Sequence, residues 1–505
     1  MRRRIFIRSA AAAVAALSVD SRSLLAGPAP VAWRRGREVE AITGDGKTVT
    51  LTDRALADLR ARLRGRVLLS GDDGYDDARR ILNPSFDKRP ALVVQPTGVA
   101  DIRAAVSFAR EHGGLLLAVK CGGHSFSGAS TCDRGLQIDL SRFRDVRVDP
   151  AARRAWVTGG SLLGQVDHEA MAFGLVTPLG TVSHTGVGGL VTGGGFGRLA
   201  RRFGLAVDNL RSVQVVTADG ELVNASPAEH EDLYWGVRGG GGNFGIVTSF
   251  EFQLHPMERQ VIGGDLVYPL ARAKDVLARL AAYGPEAPDE LSLGFAMMKP
   301  PGSEPGAVIV EACYSGAAGG FERALAPLRT LGTPLKDEVK PIDYVALQRS
   351  GDIKDPRAMG VYLKAGFIPS LGPELRAAMV EGFRPDPRRM TAVFYQQGGG
   401  AIARVAGDAT AFPARDAFAN LLTNAGWPMG EDAAPHIAAV RQYWSTLEPF
   451  THGFYINDLE PDHTAAAIQA NYRQNLQRLV AVKNRYDPTN LFRLNANVKP
   501  TQLAG

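Results

Sequence analysis

Three glycine-rich runs constrain what this chain can fold into more than any other feature of its 505 residues. The first is Lys120-Cys121-Gly122-Gly123-His124-Ser125, directly after an apolar stretch that reads as a strand. The second runs Gly180-Thr181-Val182-Ser183-His184-Thr185-Gly186-Val187-Gly188-Gly189 and continues through Gly193-Gly194-Gly195 and Gly197. The third is Arg238-Gly239-Gly240-Gly241-Gly242-Asn243-Phe244-Gly245, closed by Ile246-Val247. Glycine reaches positive φ and lets another group come close to the backbone. Successive free amides in such a loop make an anion-binding nest suited to a pyrophosphate. One run could simply turn the chain; three in one region imply a nucleotide held against bare backbone. Motif spacing argues against NAD and ATP. A dinucleotide fingerprint needs Gly-x-Gly-x-x-Gly, and Val191 stands where the third glycine after Gly186 and Gly188 should be. No Gly-x-x-x-x-Gly-Lys-Ser/Thr run occurs either.

Hydrophobic residues make up 45% and charged residues 22% of the chain. That composition excludes disorder and fibrous repeats and suits two or three globular domains. The net charge of +6 is concentrated at the start, where Arg2, Arg3, Arg4, Arg8 and Arg22 face only Asp20. The remainder is near neutral and carries no basic stripe interleaved with aromatics, which excludes nucleic acid as a partner. The same start, residues 1–30, reads as an export signal: arginines, an apolar run from Ala10 to Val19, and small residues near Ala26. The run falls short of the roughly 20 residues that span a bilayer, so no stable membrane span is expected. Arg3-Arg4, one further residue and then Phe6 resemble the twin-arginine signal, which engages export machinery for folded proteins. An ordinary secretory signal is the alternative, and either predicts a periplasmic or secreted protein. Cys121, Cys132 and Cys313 are too few for a disulfide framework, although a Cys121–Cys132 bridge is compatible with the spacing.

From about residue 60 to 257, short apolar strands alternate with glycine turns and amphipathic helices, which predicts an α+β domain. There Asp101 is expected in the first turns of a helix capped by Thr97. Between about 258 and 452, longer helices (Ala271–Tyr283, Phe321–Leu331, Arg376–Gly382) alternate with strands (Leu291–Met297, Ala307–Tyr314, Thr391–Gln397). The pattern predicts a sheet covered by helices on one face and free to meet a ligand on the other. A last helix is expected over roughly Thr464–Tyr486.

Gly122-Gly123-His124-Ser125, the long glycine segment, and the tail Tyr486-Asp487-Pro488-Thr489-Asn490-Leu491-Phe492-Arg493-Leu494-Asn495-Ala496-Asn497 share an order and spacing. Together they resemble the berberine-bridge-enzyme-like FAD oxidoreductases of the vanillyl-alcohol-oxidase, or PCMH-type, superfamily. The resemblance covers nearly the whole chain after the signal. It implies an α+β fold with a two-lobed FAD-binding domain over residues 60–257, completed by a C-terminal segment, 453–505. An α+β substrate domain with an antiparallel sheet, 258–452, is inserted between them. It implies FAD bonded to His124 through the flavin 8α-methyl carbon. Many members make a second bond from a cysteine; here Val182 occupies that position, so one covalent bond is expected. The same likeness assigns Lys120, Gly122, Gly123, Ser125, Gly180, Thr181, Thr185, Gly186, Gly188, Gly189, Gly193, Gly194, Gly195, Gly245, Ile246 and Val247 to the cofactor site. His184 either touches the cofactor or holds its loop, and Asp208, Asn209, Asn495 and Asn497 are expected to support the cofactor loops.

Flavin oxidation of an alcohol or amine needs a base to take one proton while hydride passes to the flavin. The resemblance offers Tyr455, on an expected strand Gly453–Asn457. A phenol ordinarily ionises near pH ~10, so a cation such as Lys120 would have to lower it; a packing role is the alternative. Some relatives use a carboxylate on the strand after Phe412-Pro413-Ala414-Arg415. The corresponding residue here is Asn420, which orients a substrate but cannot accept a proton. Alternation along Thr391–Gln397 puts Val393, Tyr395 and Gln397 on one face, making Tyr395 and Gln397 pocket candidates if that face meets the flavin. Thr185 falls where relatives tune oxygen access. The expected activity is hydride transfer from an alcohol, sugar or amine carbon of a small molecule, with O2 favoured over another electron acceptor. An amine oxidase of the hydroxynicotine type is one alternative. An exported flavin-binding protein without catalysis is the other, kept open by Val182 and Asn420.

Overall fold

Short β-branched stretches ended by glycine turns build two small sheets in the first half of the chain. The computed structural model describes residues 38–302, 305–355 and 357–501, and the expected signal over residues 1–30 lies outside them. The first sheet sets Arg66–Leu68, Leu92–Gln95, Leu136–Asp139 and Leu117–Lys120 side by side in that order, with the last three strands parallel. The helix Val99–Glu111 covers it, burying Ile102, Ala105, Val106 and Ala109 at helical spacing. The N-cap of this helix is Gly98, not Thr97. Asp101 instead accepts from the backbone N–H groups of Arg64, Gly65 and Thr97, pinning the preceding loop to the helix start. The packed unit begins before residue 60, because Ala41, Leu51, Leu56 and Leu59 join the same core as Leu92 and Ile102.

The second sheet is antiparallel, in the order Leu222–Ala225, Leu210–Val216, Ile246–Gln253, Arg154–Thr158 and Val146–Asp149. The inserted part is one large antiparallel sheet: Lys336–Asp337, Gln260–Pro269, Ala307–Tyr314, Leu291–Lys299, Met390–Gln397, Ala419–Pro428 and Met359–Ile368, with Lys340–Asp343 also paired to Gln260–Pro269. Helices Ala273–Tyr283, Pro373–Gly382 and Ala434–Leu447 bury Leu277, Met379 and Trp444 against one of its faces.

Two expected elements differ. The last helix is broken into Ala465–Asn471 and Leu476–Tyr486 by a 3₁₀ turn in which Arg473 takes φ +50°. Gly453–Asn457 is not a strand; Tyr455 is extended, and Ile456–Asp458 forms a 3₁₀ turn closed by the Asp458 N–H on the Tyr455 carbonyl at 2.8 Å. Residues 402–417, inside the inserted stretch by sequence, pack into the core of the glycine-rich lobe through Ile402, Ala411, Phe412 and Ala414. The tail is clamped by Asn243, whose amide donates to the Ala496 carbonyl at 3.0 Å and accepts from the Val498 N–H at 2.9 Å. Cys121, Cys132 and Cys313 are free thiols. Among the described residues no helix is long and apolar enough to cross a membrane.

Candidate active site

The three glycine runs, the tail and the bare face of the large sheet surround one cavity of about 470 Å³. Gly122, Gly123, His124, Ser125, Gly180, Thr181, Val182, Thr185, Gly186, Gly188, Gly189, Gly245, Ile246, Val247, Tyr455 and Asn495 line it. The glycines do different jobs. A Cβ on Gly122 would lie 2.3 Å from the Gly186 nitrogen, so the first two runs touch backbone to backbone. Gly189 and Gly242 line the cavity and have nothing within 4 Å of a built Cβ, so their backbones face open space. Asn495, on the cavity wall, buries an Oδ1 without a partner; Asn497 does the same but does not line the cavity. Bare backbone and an unsatisfied amide oxygen suit an elongated, polar, partly aromatic ligand. FAD has that character.

His124 projects from the loop after Leu117–Lys120. Its Nε2 lies 2.7 Å from His184 Nδ1, and its Nδ1 lies 3.4 Å from Thr185 Oγ1. The Ile353 N–H donates to His184 Nε2 at 3.1 Å. A neutral His184 therefore holds its proton on Nδ1 and donates it to His124. Burial, reinforced by His184, pushes the His124 imidazole down to about 4, so the ring is neutral and held in one orientation at ordinary pH. His184 itself holds this ring and does not line the cavity.

Several expected residues point elsewhere. Lys120 is buried, its ammonium on the Ala78 and Arg80 carbonyls and 3.5 Å from Asp139, so it is no neighbour for Tyr455. The Tyr455 hydroxyl accepts from the Gly195 N–H at 2.8 Å and Asn457 Nδ2 at 2.6 Å. Burial drives its phenol well above the usual range, and these two bonds hold the hydroxyl in place although the residue stays on the cavity wall. Gly193, Gly194 and Gly195 make room for Asn457, Phe412 and Ala206 instead of cradling a phosphate. Asp208 holds Arg415 through two bonds of 2.7 and 2.8 Å, tying in the loop over residues 402–417. Asn209 donates to the Phe203 and Leu205 carbonyls and meets His255, which is local scaffolding. Tyr395 and Gln397 lie on the helix-covered face: Tyr395 stacks with Phe295, and Gln397 bonds the Leu293 N–H and the Gly284 carbonyl. The alternation holds, but the other set, Phe394 and Gln396, meets the cavity.

On that cavity face, Phe394 pairs across with Leu422 and Gln396 with Asn420. Phe394, Leu422 and Phe126 form an apolar cluster. Beside it Asn420 donates to Gln396 Oε1 at 3.2 Å and to Asp458 Oδ2 at 2.8 Å. Asp458 lines the cavity, and burial pushes its carboxyl up to about 7 against the Asn420 bond.

Comparison with known proteins agrees with this geometry. Residues 90–226 match the family described as FAD binding domain, and residues 455–499 match Berberine and berberine like. An FAD-linked oxidoreductase of Dictyostelium discoideum is 32% identical over 445 residues, covering 87% of this chain and 96% of that protein. The chain belongs to the berberine-bridge-enzyme-like FAD-linked oxidoreductases. (R)-6-hydroxynicotine oxidase of Paenarthrobacter nicotinovorans is 30% identical over 87% of this chain and 97% of its own length. The crystal structure of 6-hydroxy-D-nicotine oxidase from Arthrobacter nicotinovorans superposes with a TM-score of 0.78, at 28% identity, over 86% of this chain and 98% of that one. The xylooligosaccharide oxidase of Myceliophthora thermophila, solved with xylobiose, gives 0.78 at 27% identity over 89% and 99%.

This FAD-linked oxidoreductase thus has an α+β fold in which antiparallel sheets and helices mix. Bound FAD supplies the two-electron acceptor; the protein supplies orientation and proton handling. Asp458 was missed by sequence reasoning, as were Phe394, Gln396, Leu422 and Phe126. Its one signal was an acidic residue three positions after Tyr455, in a segment whose apolar neighbours Phe454, Tyr455 and Ile456 mark it as partly buried.

Proposed function

We propose that this chain is an FAD-dependent oxidase that carries its cofactor on one covalent bond to His124 and oxidises a small, largely apolar alcohol or amine. The observation that carries the reading is the cavity itself. Glycine backbone and a neutral, oriented imidazole share it with an apolar cluster, Phe126, Phe394 and Leu422, and a short polar row, Gln396 and Asp458. That lining suits an aromatic substrate with one reacting hydroxyl or amino group better than an extended sugar. The 6-hydroxynicotine oxidase relative supports the amine arm of the reading. Val182 lines the cavity without a thiol, consistent with a single tether. O2 is the proposed acceptor. We further propose that residues 1–30 direct export of the folded, FAD-loaded protein through twin-arginine machinery.

The test is flavin fluorescence in a denaturing gel of purified protein, with His124→Ala alongside. Fluorescence in the wild type that is lost in His124→Ala is the expected result. A dark wild-type lane that nonetheless releases free FAD on denaturation would sink the covalent tether while leaving the oxidase.

A further inference from the structure

Asp458 is the buried acid to which neither the tether nor the glycine walls assign a task. It is 7% exposed and opens on the cavity. One oxygen, Oδ2, accepts from Asn420; among the described residues no donor reaches Oδ1. Both hydrogens of the Asn420 amide are committed, to Asp458 and to Gln396, so the amide cannot turn without leaving two acceptors bare. An amide that donates to a carboxylate favours its ionised form, and burial opposes it. Burial is the larger effect and leaves the carboxyl pushed up to about 7 against the Asn420 bond.

The charged and titratable groups around it are few. Tyr455, on the same turn, is pushed up by burial and then by Asp458 itself, and its hydroxyl is engaged by Gly195 and Asn457. The large sheet presents only the amides of Asn420 and Gln396 here. Glu460, two residues on, turns away to Lys364 at 2.5 Å. The neighbouring row on the sheet is Phe394 opposite Leu422, with Phe126 against them. A ligand ring held on that row lies next to the carboxyl.

Resting on the oxidase reading above, we propose that Asp458 is the catalytic residue that takes the substrate's hydroxyl or amine proton, and that Asn420 is the positioning residue that keeps its carboxylate ionised and aimed. In that step the O–H or N–H bond breaks and its proton goes to Asp458 Oδ1. The hydrogen on the adjacent carbon leaves with its electron pair for bound FAD, and a C=O or C=N double bond forms. The substrate is oxidised by two electrons and the cofactor is reduced by two. Asp458 then passes its proton to solvent, and O2 takes the two electrons, with the hydrogen delivered as hydride and one proton from solvent, to give hydrogen peroxide.

Two measurements on the holoenzyme test this. The first reads the carboxyl directly, by infrared difference spectra between pH 5 and 9. Asp167 and Glu460 are also raised to about 7 by burial, so a protonated-carboxyl band lost with a midpoint near 7 in the wild type, and smaller by one carboxyl in Asp458→Asn, is expected. A midpoint in the ordinary carboxylate range overturns the proposal. The second follows anaerobic flavin bleaching by a panel of aromatic primary alcohols and aryl-substituted cyclic amines, with xylobiose as the sugar control. The wild-type rate should be level above the midpoint and fall about tenfold per pH unit below it, as one protonation predicts. Asp458→Asn should slow bleaching by about 10²- to 10⁴-fold and flatten the profile. Asn420→Asp, which removes both amide donors and places a second carboxyl on the first, should lower the plateau and move the limb alkaline by about one pH unit or more. A wild type that is bleached, with Asp458→Asn equally fast, overturns the role of Asp458 alone. A panel that leaves the wild-type flavin oxidised overturns the oxidase reading and this role with it.

Discussion

Asp487 and Asp458 are both buried aspartates near the cofactor cavity, yet their surroundings are opposite. Asp487 accepts from Lys483 Nζ at 2.7 Å and from the N–H groups of Leu491 and Phe492 at 2.7 and 2.9 Å. Lys483 spends its other hydrogens on the Asn243 and Phe492 carbonyls at 2.8 and 2.9 Å. Every charge there has a partner, and the cluster fastens the tail helix to the last glycine run. Asp458 has one amide donor and, among the described residues, no cation beside it. A buried acid with all its bonds made is a fastener; one left short of donors is available to a ligand.

The comparison can be broken first at Asp487. Asp487→Ala leaves the Lys483 ammonium buried and uncompensated, an expected loss of about 3–5 kcal/mol. Thermal melts should show little folded protein, and the double change Asp487→Leu with Lys483→Met should recover much of it. Asp458→Asn should do the reverse. The folded carboxyl titrates at about 7 against an ordinary 3.8. A raised acid pKa contributes stability at low pH that is lost as pH rises through the folded value. At pH 8 the buried carboxylate therefore costs at most about 4 kcal/mol. The amide variant is expected to gain about 2–4 kcal/mol at pH 8 and close to nothing below pH 4, in denaturant melts at both pH values. An equal gain at both would remove the link to ionisation. Tyr455→Phe strips acceptors from Gly195 and Asn457 and should cost about 1–2 kcal/mol, with the pH midpoint of flavin reduction unmoved. The smallest contrast separates two adjacent residues. Phe394→Ala should weaken substrate binding about tenfold, or ~1.4 kcal/mol, while Tyr395→Phe on the helix-covered face leaves it unchanged.

What was legible in the sequence was what is locally encoded. The glycine runs and the tail are contiguous motifs, and they meet at one cavity. Along Met390–Gln397 the alternation correctly grouped Val393, Tyr395 and Gln397, but which face turns to the cavity was set by helices far away in the chain. Lys120 sits inside a cofactor motif, yet its long side chain is captured by carbonyls of Ala78 and Arg80 that no local pattern announces. Gly193–Gly195 read like the other glycines because sequence does not distinguish room for a phosphate from room for the Asn457 side chain. Asp458 escaped because a 3₁₀ turn has neither the period of a strand nor that of a helix, and its Asn420 partner is 38 residues away.

Phe492, Leu494, Asn495 and Ala496 belong to the cavity wall, and Asn243 clamps that wall from the other side of the lobe. These residues follow all three glycine runs in the chain. A nascent chain therefore has no finished pocket to fill until this segment has been made and docked, and cofactor loading waits for it. Chains cut short even slightly before residue 498 should emerge colourless.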